Sequence, residues 1–146
     1  MKLRKFELCD YEEVVTMYQD LTREIYFDRT IGEKYFFYRS VSSWIDSGKD
    51  IIVCEKDGKL LGFTLGFIDN CGGITNSVYS GEIAFVKPEY RKTRAAYLLY
   101  HNVSDYANEQ GLTLIANAFL AGENKVDAIQ KKLGGTPRFI MMERSK

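Results

Sequence analysis

The sequence predicts a single α/β (α+β) domain, and three observations carry that expectation. Apolar residues fall by turns at strand and helix spacing, Asp57-Gly58 stands between two apolar runs as a hairpin turn, and no repeat, linker or low-complexity stretch divides the 146 residues. The length suits one domain with an ordinary core. The elements follow in the order β-α-α-β-β-β-α-β-α-β.

Leu3, Phe6 and Leu8 mark a short first strand. Asp10 and Glu13 form a capping pair for a helix from Tyr11 to about Ile25, with Val14, Tyr18, Leu21 and Ile25 as its buried stripe. A second helix runs from Glu33 to Asp46 and stops near Gly48, with Phe37, Val41, Trp44 and Ile45 inward. IIVCEKDGKLLGFTLGFI makes two strands joined at Asp57-Gly58, and the loop DNCGGITNS separates them from the strand of GEIAFV. A third helix spans about Ala95 to Gln110, with Ala96, Leu99, Val103 and Tyr106 at helical spacing and Gly111 as its stop. LTLIANAF is a fifth strand, Glu123 to Leu133 a fourth helix, and PRFIMME a last strand after Gly134-Gly135.

Composition narrows the chemistry. Twenty basic and twenty acidic residues cancel, so no whole-molecule field attracts nucleic acid or an anionic membrane, and any basic site must be local. The N-terminus MKLRKFELCD has no apolar core of a signal peptide, and the apolar runs are short; both predict a soluble, cytoplasmic protein. Cys9, Cys54 and Cys71 are odd in number and lack metal-ligand spacing, so they read as thiols in a reducing compartment, with no metal expected. A single histidine excludes a two-histidine catalyst, and no G-x-S-x-G elbow is present. That histidine, His101, lies with Tyr97, Ser104 and Asp105 on the polar side of the third helix and reads as a solvated surface residue. Neither G-x-x-x-x-G-K-[ST] nor G-x-G-x-x-G occurs, which disfavours nucleoside triphosphates and dinucleotides.

The strand-turn-helix of residues 82–110 remains. Pro88 ends the strand, Arg91, Lys92 and Arg94 sit in the turn, and the small Ala95 and Ala96 open the helix. A helix N-terminus offers unsatisfied N–H groups and a partial positive charge, so the turn reads as a phosphate site. The alternative is a solvated basic turn with alanines chosen for helix propensity.

EIAFVKPEYR leading into the third helix, with a late KLGG, resembles the GNAT superfamily of acyl-CoA-dependent N-acyltransferases over nearly the whole chain. The specific part is a strand ending in V-x-P-E-Y-R, followed by the family's R/Q-x-x-G-x-G/A loop around the pyrophosphate of coenzyme A. Here that loop reads Arg91-Lys92-Thr93-Arg94-Ala95-Ala96; Arg91 and Ala96 match, and Arg94 stands where the first glycine is usual, as in small phage-type members. The resemblance implies a mixed, mostly antiparallel central sheet of six or seven strands flanked by four helices. It also implies acetyl-CoA as donor and direct transfer of the acetyl group to a primary amine in a ternary complex.

Within that resemblance, the fourth and fifth strands splay, and the backbone groups of Phe85 and Val86 would pair with the pantetheine arm and the thioester oxygen. Glu82, six residues before Pro88, would take the proton from the attacking amine, its basicity tuned by burial; the alternative is an edge glutamate paired with a lysine or arginine. Asn124 would contact the cofactor. Gln130 stands where members place a proton-donating tyrosine, leaving Tyr97, Tyr100 or water for that step. Tyr26, Phe27, Tyr35, Phe36 and Tyr38 could line the acceptor pocket, with Asp28 or Glu33 holding a cationic amine on a small molecule or a protein. Otherwise these aromatics belong to the core or to an oligomer contact such as a homodimer. A rival expectation is a non-catalytic module that keeps the fold for acyl-CoA or protein binding.

Overall fold

The computed structural model describes residues 1–26, 30–69 and 78–116 of the chain. Among these residues are five strands and three α-helices, in the order β1 (Lys2–Lys5), α1 (Tyr11–Ile25), α2 (Lys34–Asp46), β2 (Asp50–Lys56), β3 (Lys59–Asp69), β4 (Val78–Val86), α3 (Ala95–Glu109) and β5 (Thr113–Ala116). Six or seven strands and four helices were expected; the fourth helix and last strand, with Asn124 and Gln130, lie outside the described residues. The sheet order is β1-β2-β3-β4-β5, antiparallel through β4 and parallel between β4 and β5. A parallel pair needs a crossover, and α3 provides it.

Local chemistry sets most of the boundaries. Asp57 and Gly58 both take positive φ, 52° and 75°, the geometry a two-residue turn between β2 and β3 requires. Asp10 occupies the N-cap of α1, but its carboxylate does not cap that helix. It accepts the Glu7 N–H and a two-pronged contact from Arg4, 2.7 and 2.8 Å, tying β1 to the start of α1. Glu13 likewise turns away from the cap and pairs with Lys87.

Two layers of helix cover the sheet. Val14, Val15 and Met17 of α1 and Phe37, Val41 and Trp44 of α2 pack with Ile51, Val53, Phe63, Leu65 and Phe85 on one face. On the other, Ala95 and Leu99 of α3 meet Cys54, Leu61 and Val86, while Val103 and Ala107 meet Tyr79. The buried stripe of α3 is therefore Ala95, Leu99, Val103 and Ala107, one residue off the expected stripe at its first and last members. Ala95 is small because it is fully buried beneath the helix.

Candidate active site

β4 carries the irregularity that builds the site. Leu65 pairs with Ile83 and Gly66 with Gly81, so Glu82 is an extra residue in β4, a β-bulge. Ile83 belongs to the face covered by α1 and α2, whereas Tyr79 packs under α3. In a regular strand Glu82 would share the face of Ala84, opposite to that of Ile83. The bulge turns its carboxylate to the α1/α2 side instead, a recognised use of such irregularities. There Glu82 Oε2 accepts a hydrogen bond from Lys49 Nζ at 2.9 Å, and the Lys49 ammonium lies 4.8 Å from the centre of the Phe67 ring.

The Glu82 side chain is 30% exposed, more open than the buried carboxylate expected, and its lysine partner is the pairing foreseen in the alternative reading. Tyr18 of α1 faces the same region: burial pushes its phenol up, and the charges of Tyr26 and Glu82 push it further. Tyr18 is wedged against Trp44 and Phe37, with ring centres 4.8 and 5.3 Å away, so it is a fixed wall.

Pairing between β4 and β5 runs from Val78↔Thr113 to Gly81↔Ala116, the last described residue of β5. Glu82 is the next residue of β4, and the stretch that would face it across the expected slot lies outside the described residues. On the β3 side, the Lys87 N–H donates to the Leu61 carbonyl at 2.9 Å, and Val86 lies opposite Gly62. Antiparallel alternation then turns the Phe85 N–H and C=O toward β3 and those of Ala84 and Val86 away from it. The position of the Phe85 carbonyl agrees, since a Cβ added at Gly62 would lie 2.4 Å from that oxygen. The backbone groups of Ala84 and the Val86 N–H thus face away from β3, the Val86 carbonyl takes the Arg91 Nε–H, and the groups of Phe85, expected to pair with the cofactor, serve the sheet instead. The outward phase of Ala84 could not be read from the sequence because it depends on the pairing with β3.

The basic turn divides its cations. Arg91 donates from Nε to the Val86 carbonyl at 2.8 Å, pairs with Glu24 of α1 and lies 5.4 Å from the Phe85 ring centre. It ties the turn to β4 and α1. Lys92 and Arg94 are exposed, and neither makes an ion pair among the described residues. Arg94 is the N-cap of α3 with φ −77° and ψ 0°, near-helical as arginine requires, so the glycine usual here is not needed for the backbone path. Its carbonyl accepts the Leu98 N–H at 2.9 Å, and the Thr93 hydroxyl accepts the Ala95 N–H at 3.3 Å. Ala96 follows in the first turn, half-buried. Two uncommitted cations beside a helix N-terminus fit a diphosphate.

Other expected residues are scattered. His101 pairs through Nδ1 with Asp105 at 2.9 Å on the exposed side of α3. Burial raises the Tyr100 phenol well above the ordinary tyrosine range, which makes it a poor proton donor. Tyr38 is bonded to Glu12 and, with Tyr35, Tyr11 and Arg39, lines a shallow hollow of about 670 Å³ to which β4 contributes nothing. Phe36 is 56% exposed, Glu33 occupies the N-cap position of α2 without a side-chain capping bond, and Phe27 and Asp28 lie outside the described residues. The hollow is wide open, and neither Glu82 nor Lys49 lines it.

A model of the Acetyltransferase (GNAT) family matches residues 11–134. The chain belongs to that family. None of the curated proteins matches it in sequence. Solved structures share the fold at low identity. A probable acetyltransferase superposes with a TM-score of 0.80 at 14% identity, covering 100% of this chain and 99% of the other. A predicted acetyltransferase with acetyl-CoA from Clostridium acetobutylicum gives 0.76 at 13% identity over 99% and 95%. A ribosomal-protein-alanine N-acetyltransferase from Brucella melitensis biovar Abortus 2308 gives 0.73 at 14% identity over the whole of both chains.

Proposed function

We propose that this GNAT protein is an N-acetyltransferase that moves the acetyl group of acetyl-CoA to a primary amine by direct attack within a ternary complex. The observation that carries the reading is the bulge, which turns the Glu82 carboxylate to the α1/α2 side of β4, within hydrogen-bond reach of a primary amine, that of Lys49. Acetyl-CoA supplies a thioester whose carbonyl carbon is the electrophile and whose thiolate is the leaving group.

The chain's own residues divide the work. Lys92 and Arg94 hold the diphosphate together with the first turn of α3, Thr93 fixes the turn by donating from Oγ1 to the Tyr90 carbonyl at 2.6 Å, Ala95 seats the helix start on the core, and the small Ala96 keeps the approach clear. Arg91 keeps the turn against β4 through the Val86 carbonyl, and the outward backbone groups of Ala84 and the Val86 N–H take the pantetheine amides. The N–H nearest the thioester oxygen stabilises the negative charge that grows there during attack. Glu82 accepts the proton the amine must shed to become a nucleophile. Tyr18 and Phe67 give the amine an aromatic surround, which suits a cation. Asn124, on the stretch after β5, is assigned to the cofactor by family pattern alone.

The test is transfer itself. The protein is incubated with acetyl-CoA and a panel of primary amines spanning polyamines, free amino acids and short peptides, and acetylated product is read by mass spectrometry. Product from at least one amine is expected. Binding of acetyl-CoA with no transfer across the panel would favour the non-catalytic module.

A further inference from the structure

A proton acceptor waiting for an external amine already holds one. The Lys49 Nζ donates to Glu82 Oε2 at 2.9 Å, with the two side chains 24% and 30% exposed, so the contact is partly screened from water. The root of Lys49 is fixed: its N–H bonds the Trp44 carbonyl at 3.0 Å, and the preceding Gly48 takes φ 69° to end α2. Phe67 lies under the ammonium with its ring centre 4.8 Å away. Lys49 therefore meets the requirement set for the acceptor amine, a primary amine touching the base.

Resting on the transferase reading above, we propose that Lys49 is an acceptor in its own right and that the protein acetylates its own Lys49 Nζ. The step balances without a further reagent. Glu82 takes a proton from the Lys49 ammonium, and the freed Nζ forms a bond to the thioester carbonyl carbon. The carbon–sulfur bond then breaks as the nitrogen sheds its second proton, which passes through water to the departing thiolate, and Glu82 returns the first proton to solvent, leaving an amide on Lys49 and the free thiol of coenzyme A. The product is neutral, so the ion pair with Glu82 is lost, and the acetyl-lysine fills the place of the external amine. Self-acetylation is thus a competing reaction that closes the site.

Lys87 is the internal control. It is as sheltered as Lys49, 23% exposed against 24%, and also pairs with a glutamate, Glu13, but it lies beyond the strand segment that faces the slot. The purified full chain is incubated with acetyl-CoA alone, and acetyl occupancy at each lysine is followed over time by peptide mass spectrometry. Lys49 is expected to be modified at least about 10²-fold faster than Lys87, the advantage given by placement at a base. Glu82→Gln is expected to remove that excess, and an amine that is turned over in the panel is expected to protect Lys49. An occupancy at Lys49 that only tracks Lys87, or an excess that survives Glu82→Gln, would overturn self-acetylation. Transfer to panel amines with Lys49 unmodified would overturn it while leaving the transferase reading intact. No transfer to Lys49 or to any amine would overturn both.

Discussion

At the scale of single residues, the site depends on contacts between positions far apart in the chain. Lys49 and Glu82 are separated by 33 residues, and nothing in either local sequence announces the other. At Gly62 the close approach is to backbone: a Cβ there would meet the Phe85 carbonyl oxygen at 2.4 Å, and backbone cannot swing aside. Gly62→Ala should lower stability by about 1–3 kcal/mol and shift the strand that carries the site, read as a lower melting temperature together with weaker acetyl-CoA binding. Arg94→Ala should leave the melting temperature unchanged and weaken acetyl-CoA binding by about 10- to 100-fold, with less dependence on salt in what remains; calorimetric titration at two salt concentrations measures both. Arg91 was legible as a cation of the turn, but its turn back onto the Val86 carbonyl and Glu24 depends on α1 and could not be read locally.

Among the elements, legibility follows how local the cause is. The span of α1, Tyr11–Ile25, and the turn at Asp57-Gly58 match the expectation because periodicity and turn chemistry are written within a few residues. The end of α3 at Glu109 falls one residue from the expected Gln110, with Gly111 at φ 66° as the stop. The bulge at Glu82 was not legible, because an extra residue is defined only against the partner strand. It also gives a sharp test. Deleting Gly81 keeps the glutamate but lets it take the place opposite Gly66, which removes the bulge and returns the carboxylate toward the α3 face, away from Lys49. A shortened protein with native-like circular dichroism should lose acetyl transfer as fully as Glu82→Gln does. Retained transfer would show that the bulge does not set the position of the base.

For the whole molecule, stability and function rest on different ion pairs. Arg4 holds the Asp10 carboxyl below the usual carboxylate range by direct hydrogen bonds, against the opposing effect of burial. A depressed folded pKa gives stability that is complete above the unfolded carboxylate value, about 3.9, and is lost as pH falls through the folded value. The melting temperature should therefore fall steeply below about pH 4. Arg4→Met should cost about 3 kcal/mol near neutrality by stranding a buried carboxylate, and the acid slope should flatten. Glu82 lies in none of these stabilising contacts except its pair with Lys49, so it can be altered with the fold intact. The most direct test of the account is acetyl transfer by Glu82→Gln, measured as kcat/KM for an acceptor found in the panel, alongside the donor Kd. The account predicts a loss of about 10²- to 10³-fold near neutral pH, partly recovered at higher pH, with donor affinity nearly unchanged. Unchanged kcat/KM with full donor binding would contradict it.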